Sequence, residues 1–125
     1  MNILRRLCRF YLLTCMTIAV ILVLCLMPIE DPPLQHVRFI DKWTHMVLFG
    51  GMCGVLLLEM TLNGLRRCRW TAPIAAGLFG GVVELLQAFC TSYRSGEWLD
   101  FVADAFGAFV VYLLALCLLF VCKTR

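Results

Sequence analysis

Charge is scarce in this chain. Asp, Glu, Lys and Arg supply 15% of its 125 residues while 62% are hydrophobic, and the mean hydropathy is +0.91. That balance excludes an ordinary soluble domain and describes an integral membrane protein. Also missing is any C-x-x-C spacing among the eight cysteines, which removes the common redox and zinc frameworks. Cys15, Cys25, Cys53, Cys90 and Cys117 lie inside apolar runs and read as small membrane-buried hydrophobes. A Cys25–Cys90 bridge would need those two helices to be neighbours, and burial argues against it. Cys8 and Cys122, near the cytoplasmic ends, are candidates for acylation. No nucleic-acid motif, internal repeat, low-complexity tract or second domain is present.

What is present is apolar sequence in long runs. Residues 10–27, 43–62, 70–90 and 99–122 each approach the roughly 20 residues that a spanning helix needs. The expected fold is therefore all-α: four transmembrane helices in one bundle, a single domain over residues 1–125. The first run follows Arg5, Arg6 and Arg9, as a cleaved signal would. However, Leu26-Met27-Pro28 offers no small-x-small cleavage site, and Leu22-Val23-Leu24-Cys25 puts a bulky Leu where a lipoprotein signal needs a small residue. We expect a retained anchor helix.

Orientation follows from the short loops, because Lys and Arg are held on the cytoplasmic side. Arg5, Arg6 and Arg9, the turn Asn63-Gly64-Leu65-Arg66-Arg67-Cys68-Arg69, and Lys123 with Arg125 alternate with connections richer in acids. Both termini are then cytoplasmic. The formal charge of +3 comes mainly from these arginines, so it reports topology. On the outer side, Pro28-Ile29-Glu30-Asp31-Pro32-Pro33 cannot continue a helix. In the second outer connection, Thr91 to Glu97, Ser95 or Gly96 is placed to cap the following helix. Gly50 with Gly54, and Gly77 with Gly81, repeat at i, i+4, a spacing that lets backbones approach closely. Spans two, three and four should form the tight core, with span one peripheral. Trp43, Trp70 and Trp98 each begin a span and read as interfacial anchors. Glu59, beside the arginine turn, reads as a surface ion pair.

Against this background the polar residues stand out. Asp41 and His45 are one helical turn apart, and Asp100 and Asp104 repeat that spacing. Glu84 and Gln87 lie in the last two turns of span three, before the loop carrying Arg94. All three segments deliver polar groups to the outer leaflet, with His45, Glu84 and Asp104 about 6–9 Å below their helix ends. This describes an outward-facing polar pocket. Asp41, Glu84, Asp100 and Asp104 outnumber Lys42 and Arg94 by two charges when ionised. The excess is relieved by protonating a carboxylate, by protonating His45 or by binding a cation. Asp41 and Asp100 are partly explained as helix-start residues. His45 reads first as a hydrogen-bond partner of Asp41 or a facing carboxylate, and second as a metal ligand. Arg94 is either a surface anchor or a clamp for a phosphate or carboxylate. Glu84 and Asp104 are at no helix terminus, so a functional role explains them better.

Asp41-Lys42-x-x-His45, then Phe49, Gly80-x-x-x-Glu84-x-x-Gln87, Arg94 and Asp100-x-x-x-Asp104-x-x-Gly107, in that order, resembles the VanZ-like family of small bacterial membrane proteins over about residues 36 to 115. In that family the last motif often reads Asp-x-x-x-Asn-x-x-Gly. Asp104 departs to an acid, which argues against a role needing a neutral amide and adds negative charge. The family is named after an accessory protein of glycopeptide-resistance clusters associated with lowered susceptibility to teicoplanin. The resemblance implies a multi-pass cell-envelope protein of the bacterial cytoplasmic membrane and supplies no reaction.

Three functions follow as expectations. In the first, the pocket binds the headgroup of an envelope lipid or a lipid-linked intermediate. Arg94 and Lys42 would hold an anionic group there, with Asp41, Gln87 and Asp100 as further ligand-binding residues, while His45, Glu84 and Asp104 satisfy hydroxyls or exchange a proton. In the second, His45 with Glu84 or Asp104 is the acid/base pair of an intramembrane hydrolase, acting alone or around a divalent metal. No Ser or Cys nucleophile sits within either motif, which points to activated water. In the third, the polar groups lock helix packing and the protein is a non-catalytic assembly partner. The chain is short for a secondary carrier, so transport would need a homo-oligomer. The sequence names no cofactor.

Overall fold

A computed structural model of the chain describes residue 3 and residues 9–28, 39–92 and 96–124. Cys8, the connection Glu30-Asp31-Pro32-Pro33, Ser95 and Arg94 lie outside the described residues. Every regular element within them is helical: α1 (Leu12–Leu26), α2 (Ile40–Leu62), a 3-10 turn (Arg66–Cys68), α3 (Thr71–Cys90) and α4 (Trp98–Thr124). Runs such as Ile18-Ala19-Val20-Ile21-Leu22-Val23 are rich in β-branched residues that favour strands in water. In hydrocarbon a segment must satisfy its own backbone groups, and a helix does so.

The helices α2, α3 and α4 have 23, 20 and 27 residues and are long and apolar enough to cross a membrane. Among the described residues, three helices are thus of crossing length, and a fourth, α1, has 15 residues, about 22 Å against a hydrocarbon core of about 30 Å. Local geometry sets its ends. The backbone leaves the helix at Tyr11 (φ −127°, ψ 40°) and at Met27 (φ −70°, ψ 135°). The second value is what steric conflict with the ring of Pro28 imposes on the residue before it.

The arginine turn begins with a Schellman ending to α2. Gly64 takes φ 76°, Leu65 N–H donates to the Met60 carbonyl at 2.8 Å, and Gly64 N–H donates to that of Thr61 at 3.2 Å. α3 then runs back beside α2.

α4 is packed most extensively on α2 and next on α3, while α1 lies against α2 and α3. Glycine permits the closest approaches: a Cβ on Gly50 would stand 3.1 Å from the Gly107 carbonyl oxygen, and one on Gly107 would collide with the Met46 backbone. Among the described residues two buried clusters result. One joins Cys53, Leu57, Met60, Ala72, Ala76 and Ala108, and the other joins Ile21 and Cys25 of α1 to Phe49, Met52 and Val83. α1 buries only Thr14, Ile21 and Cys25, in keeping with an outlying helix. No disulfide joins Cys25 to Cys90. Trp43, Trp70 and Trp98 are all exposed at helix starts.

Glu59 corrects the expectation of a surface ion pair. It is buried, and its carboxylate accepts from Leu13 N–H (2.6 Å), Thr14 N–H (3.0 Å) and the Thr14 hydroxyl (2.6 Å). These amides belong to the first turn of α1 and have no partner within that helix, so the acid of α2 caps α1 from outside.

Candidate functional site

The starts of α2 and α4 and the last turns of α3 meet at one end of the bundle. His45 is on the second turn of α2, Asp104 on the second turn of α4, and Glu84 two turns before the end of α3. All three are buried, Asp104 completely. His45 Nδ1 lies 2.9 Å from Asp104 Oδ1 and 3.6 Å from Glu84 Oε1. The three residues expected to converge from sequence therefore do so, one from each crossing helix.

Several contacts hold this triangle in shape. Glu84 Oε2 accepts from the Glu97 N–H at 2.9 Å, leaving Glu84 Oε1 turned toward the imidazole. The His45 ring is stacked on Phe49, one turn along α2, with centroids 6.1 Å apart and planes 13° from parallel. Asp104 is pressed onto α3 at Gly80, where a Cβ would stand 2.5 Å from Asp104 Oδ2. Two oxygens, Glu84 Oε1 and Asp104 Oδ2, are buried without a hydrogen-bond partner among the described residues. Such atoms are costly in an apolar interior, so the site is set up for a proton, a cation or a polar ligand.

A second group lies toward the helix starts. The Asp41 and Asp100 carboxylates and His45 present donor atoms within 4.8 Å of one another. Lys42 Nζ contacts Glu97 Oε2 at 2.9 Å and Asp100 Oδ1 at 3.0 Å. Its ammonium is therefore engaged by two carboxylates, which alters the expected part of Lys42 as an anion clamp. Gln87 takes another direction: its amide nitrogen donates to the Cys25 carbonyl at 2.9 Å, joining the end of α1 to α3.

Sequence reasoning overlooked Glu97. It serves the site twice, through its N–H to Glu84 and its carboxylate to Lys42. Its position one residue before α4, in the only connection between α3 and α4, was the available signal.

Beside the cluster, a groove of about 320 Å³ runs between α3 and the start of α4. Its walls are Gly81, Glu84, Leu85, Ala88, Gly96, Glu97, Trp98 and Phe101. Leu85, Trp98 and Phe101 are exposed, so the groove lies on the apolar outer surface of the bundle while Glu84 joins it to the buried triangle. A molecule with an apolar chain and a polar end fits that combination.

Comparison of the chain with known protein families, with curated proteins and with solved structures finds no match.

Proposed function

We propose that this is a VanZ-like protein of the bacterial cytoplasmic membrane, with four spans and both termini cytoplasmic. In this reading it binds the polar part of an envelope lipid or lipid-linked intermediate at His45, Glu84 and Asp104. The carrying observation is the apolar groove that includes Glu84 in its wall and so adjoins the acid–histidine triangle. The lipid chain would lie against Leu85, Ala88 and Phe101, and the bare carboxylate oxygens would accept hydrogen bonds from hydroxyl or amide groups of the headgroup. Because Lys42 is engaged by Glu97 and Asp100, we assign contact with any anionic part of the headgroup to Arg94. The resemblance to the VanZ-like family adds an influence on glycopeptide susceptibility, teicoplanin included, to this proposal.

The test fills the groove without touching the triangle. Ala88→Trp places an indole where the chain would lie. Lipids retained by purified wild-type protein and by this variant are then compared by mass spectrometry. We expect a lipid enriched in the wild type and lost from the variant; equal retention by a folded variant refutes the reading.

A second reading, intramembrane hydrolysis, is favoured by the 2.9 Å His45–Asp104 pair, with Glu84 within reach. That geometry suits a general base oriented by a carboxylate. Turnover of an envelope lipid by wild type and its loss in His45→Gln would support it.

A further inference from the structure

The triangle has a property that a headgroup site does not require: one imidazole nitrogen and two carboxylate oxygens, each from a different helix, lie within 4.8 Å of one another. At metal–ligand distances of roughly 2.0–2.2 Å, neighbouring donors stand about 2.8–3.1 Å apart around an octahedral ion and about 3.3–3.6 Å apart around a tetrahedral one. The observed separations from His45 Nδ1, 2.9 Å to Asp104 and 3.6 Å to Glu84, fall at the two ends of that span. The donors are also held from behind, as ligands usually are: Glu97 N–H fixes the far oxygen of Glu84, and Phe49 fixes the plane of the ring.

Charge points the same way. Glu84 Oε1 and Asp104 Oδ2 are buried and have no hydrogen-bond partner among the described residues. Lys42, the cation near the triangle among the described residues, is engaged by Glu97 and Asp100. The overlapping set Asp41, His45 and Asp100 is the weaker candidate for that reason, because Lys42 already holds Asp100.

We infer that His45, Glu84 and Asp104 form a three-ligand site for one divalent transition-metal ion, with further positions open to water or ligand. The imidazole among the donors favours a transition metal, zinc first, over magnesium and calcium, which favour oxygen alone. The inference shares the lipid site and rests on the lipid reading for its purpose only, so metal content and lipid retention are measured separately.

The full chain is purified in detergent without chelators from cells grown with zinc and manganese, and bound metal is counted by mass spectrometry. Metal-stripped protein is then titrated with Co2+ and read by visible absorption. Wild type should carry about one ion per chain and give a ligand-field band. Glu84→Gln and Asp104→Asn should each weaken Co2+ binding by at least about tenfold. Thr44→Ala, an exposed neighbour of His45, should bind as wild type, and circular dichroism checks that every variant is folded. Wild-type protein that holds no metal and gives no Co2+ band overturns the inference, as does equal binding by folded Glu84→Gln and Asp104→Asn. Should Ala88→Trp lose lipid while keeping its metal, both readings stand. Equal lipid retention with metal present refutes the lipid reading alone.

Discussion

Gly80→Ala adds one methyl group to α3 where Asp104 of α4 lies against it. On the existing backbone the new Cβ would stand 2.5 Å from Asp104 Oδ2, 2.7 Å from its Cβ and 2.9 Å from its Cγ. The carboxylate can rotate, but the Asp104 Cβ is fixed to its helix, so relief requires α3 and α4 to separate. Moving from 2.7 Å to an ordinary contact of 3.4 Å takes roughly 0.7 Å. A shift of that size is enough to break a 2.9 Å hydrogen bond such as His45–Asp104. Overpacking of this kind costs about 1–3 kcal/mol, and alanine in place of glycine within a helix returns about 0.5–1 kcal/mol. The net is a loss of roughly 0–2.5 kcal/mol against wild type, and of about 1–3 kcal/mol against a glycine-to-alanine change that meets no neighbour. Gly51→Ala is the internal control, because a Cβ there meets nothing within 4 Å; it should be neutral or stabilising. Unfolding in mixed micelles of SDS and a mild detergent, followed by circular dichroism, measures both. If Gly80→Ala unfolds with the same free energy as Gly51→Ala, the close α3–α4 contact is wrong and the geometry of the triangle falls with it.

Lys42→Met leaves Asp100, with 4% of its side chain exposed, without its cation. A loss of roughly 3 kcal/mol is expected, toward the low end for a broken buried pair because the Lys42 side chain is itself 22% exposed. Adding Asp100→Asn should recover a large part of that loss in a double-mutant cycle; strictly additive losses would show that the pair is not coupled. Glu59→Ala removes the acceptor of three donors at the start of α1. It should cost about 1–3 kcal/mol, and amide hydrogen exchange at Leu13 and Thr14 should accelerate, whereas unchanged protection would contradict the cap. Gln87→Leu should cost about 1 kcal/mol through the lost bond to the Cys25 carbonyl; a cysteine-specific label at Cys25 that reacts no faster in this variant would show that α1 is held by other means.

The helical architecture was legible because apolar runs of about 20 residues admit few other structures in a membrane. The triangle was legible for a related reason. The i, i+4 spacing gave Asp41 with His45 and Asp100 with Asp104 common faces, and alternating loop charge brought the starts of α2 and α4 to the same end as Glu84. Rotation of each helix about its axis was not encoded so plainly. It decided that His45 pairs with Asp104 and that Gln87 turns to α1. Glu97 was overlooked and Glu59 was misread as a surface ion pair because Glu97 acts through its own backbone amide and Glu59 on those of another helix, and backbone amides carry no signature in a sequence. The shortness of α1 depended on the conformation of Tyr11, where no proline or glycine marks the break.

The capping of α1 by Glu59 bears on how the chain enters its membrane. α1 is made before α2, and the amides of Leu13 and Thr14 have no acceptor in their own helix until the far end of α2 arrives with a carboxylate. Glu59 in turn would be an isolated acid at the end of an apolar helix without them. Each segment completes the other, so the two are best inserted together as a hairpin, and exchanging α1 for a generic anchor would leave a buried acid without its donors. Since α2 carries Glu59 near one end and His45 near the other, a faulty hairpin would also misplace the imidazole at which the three crossing helices meet.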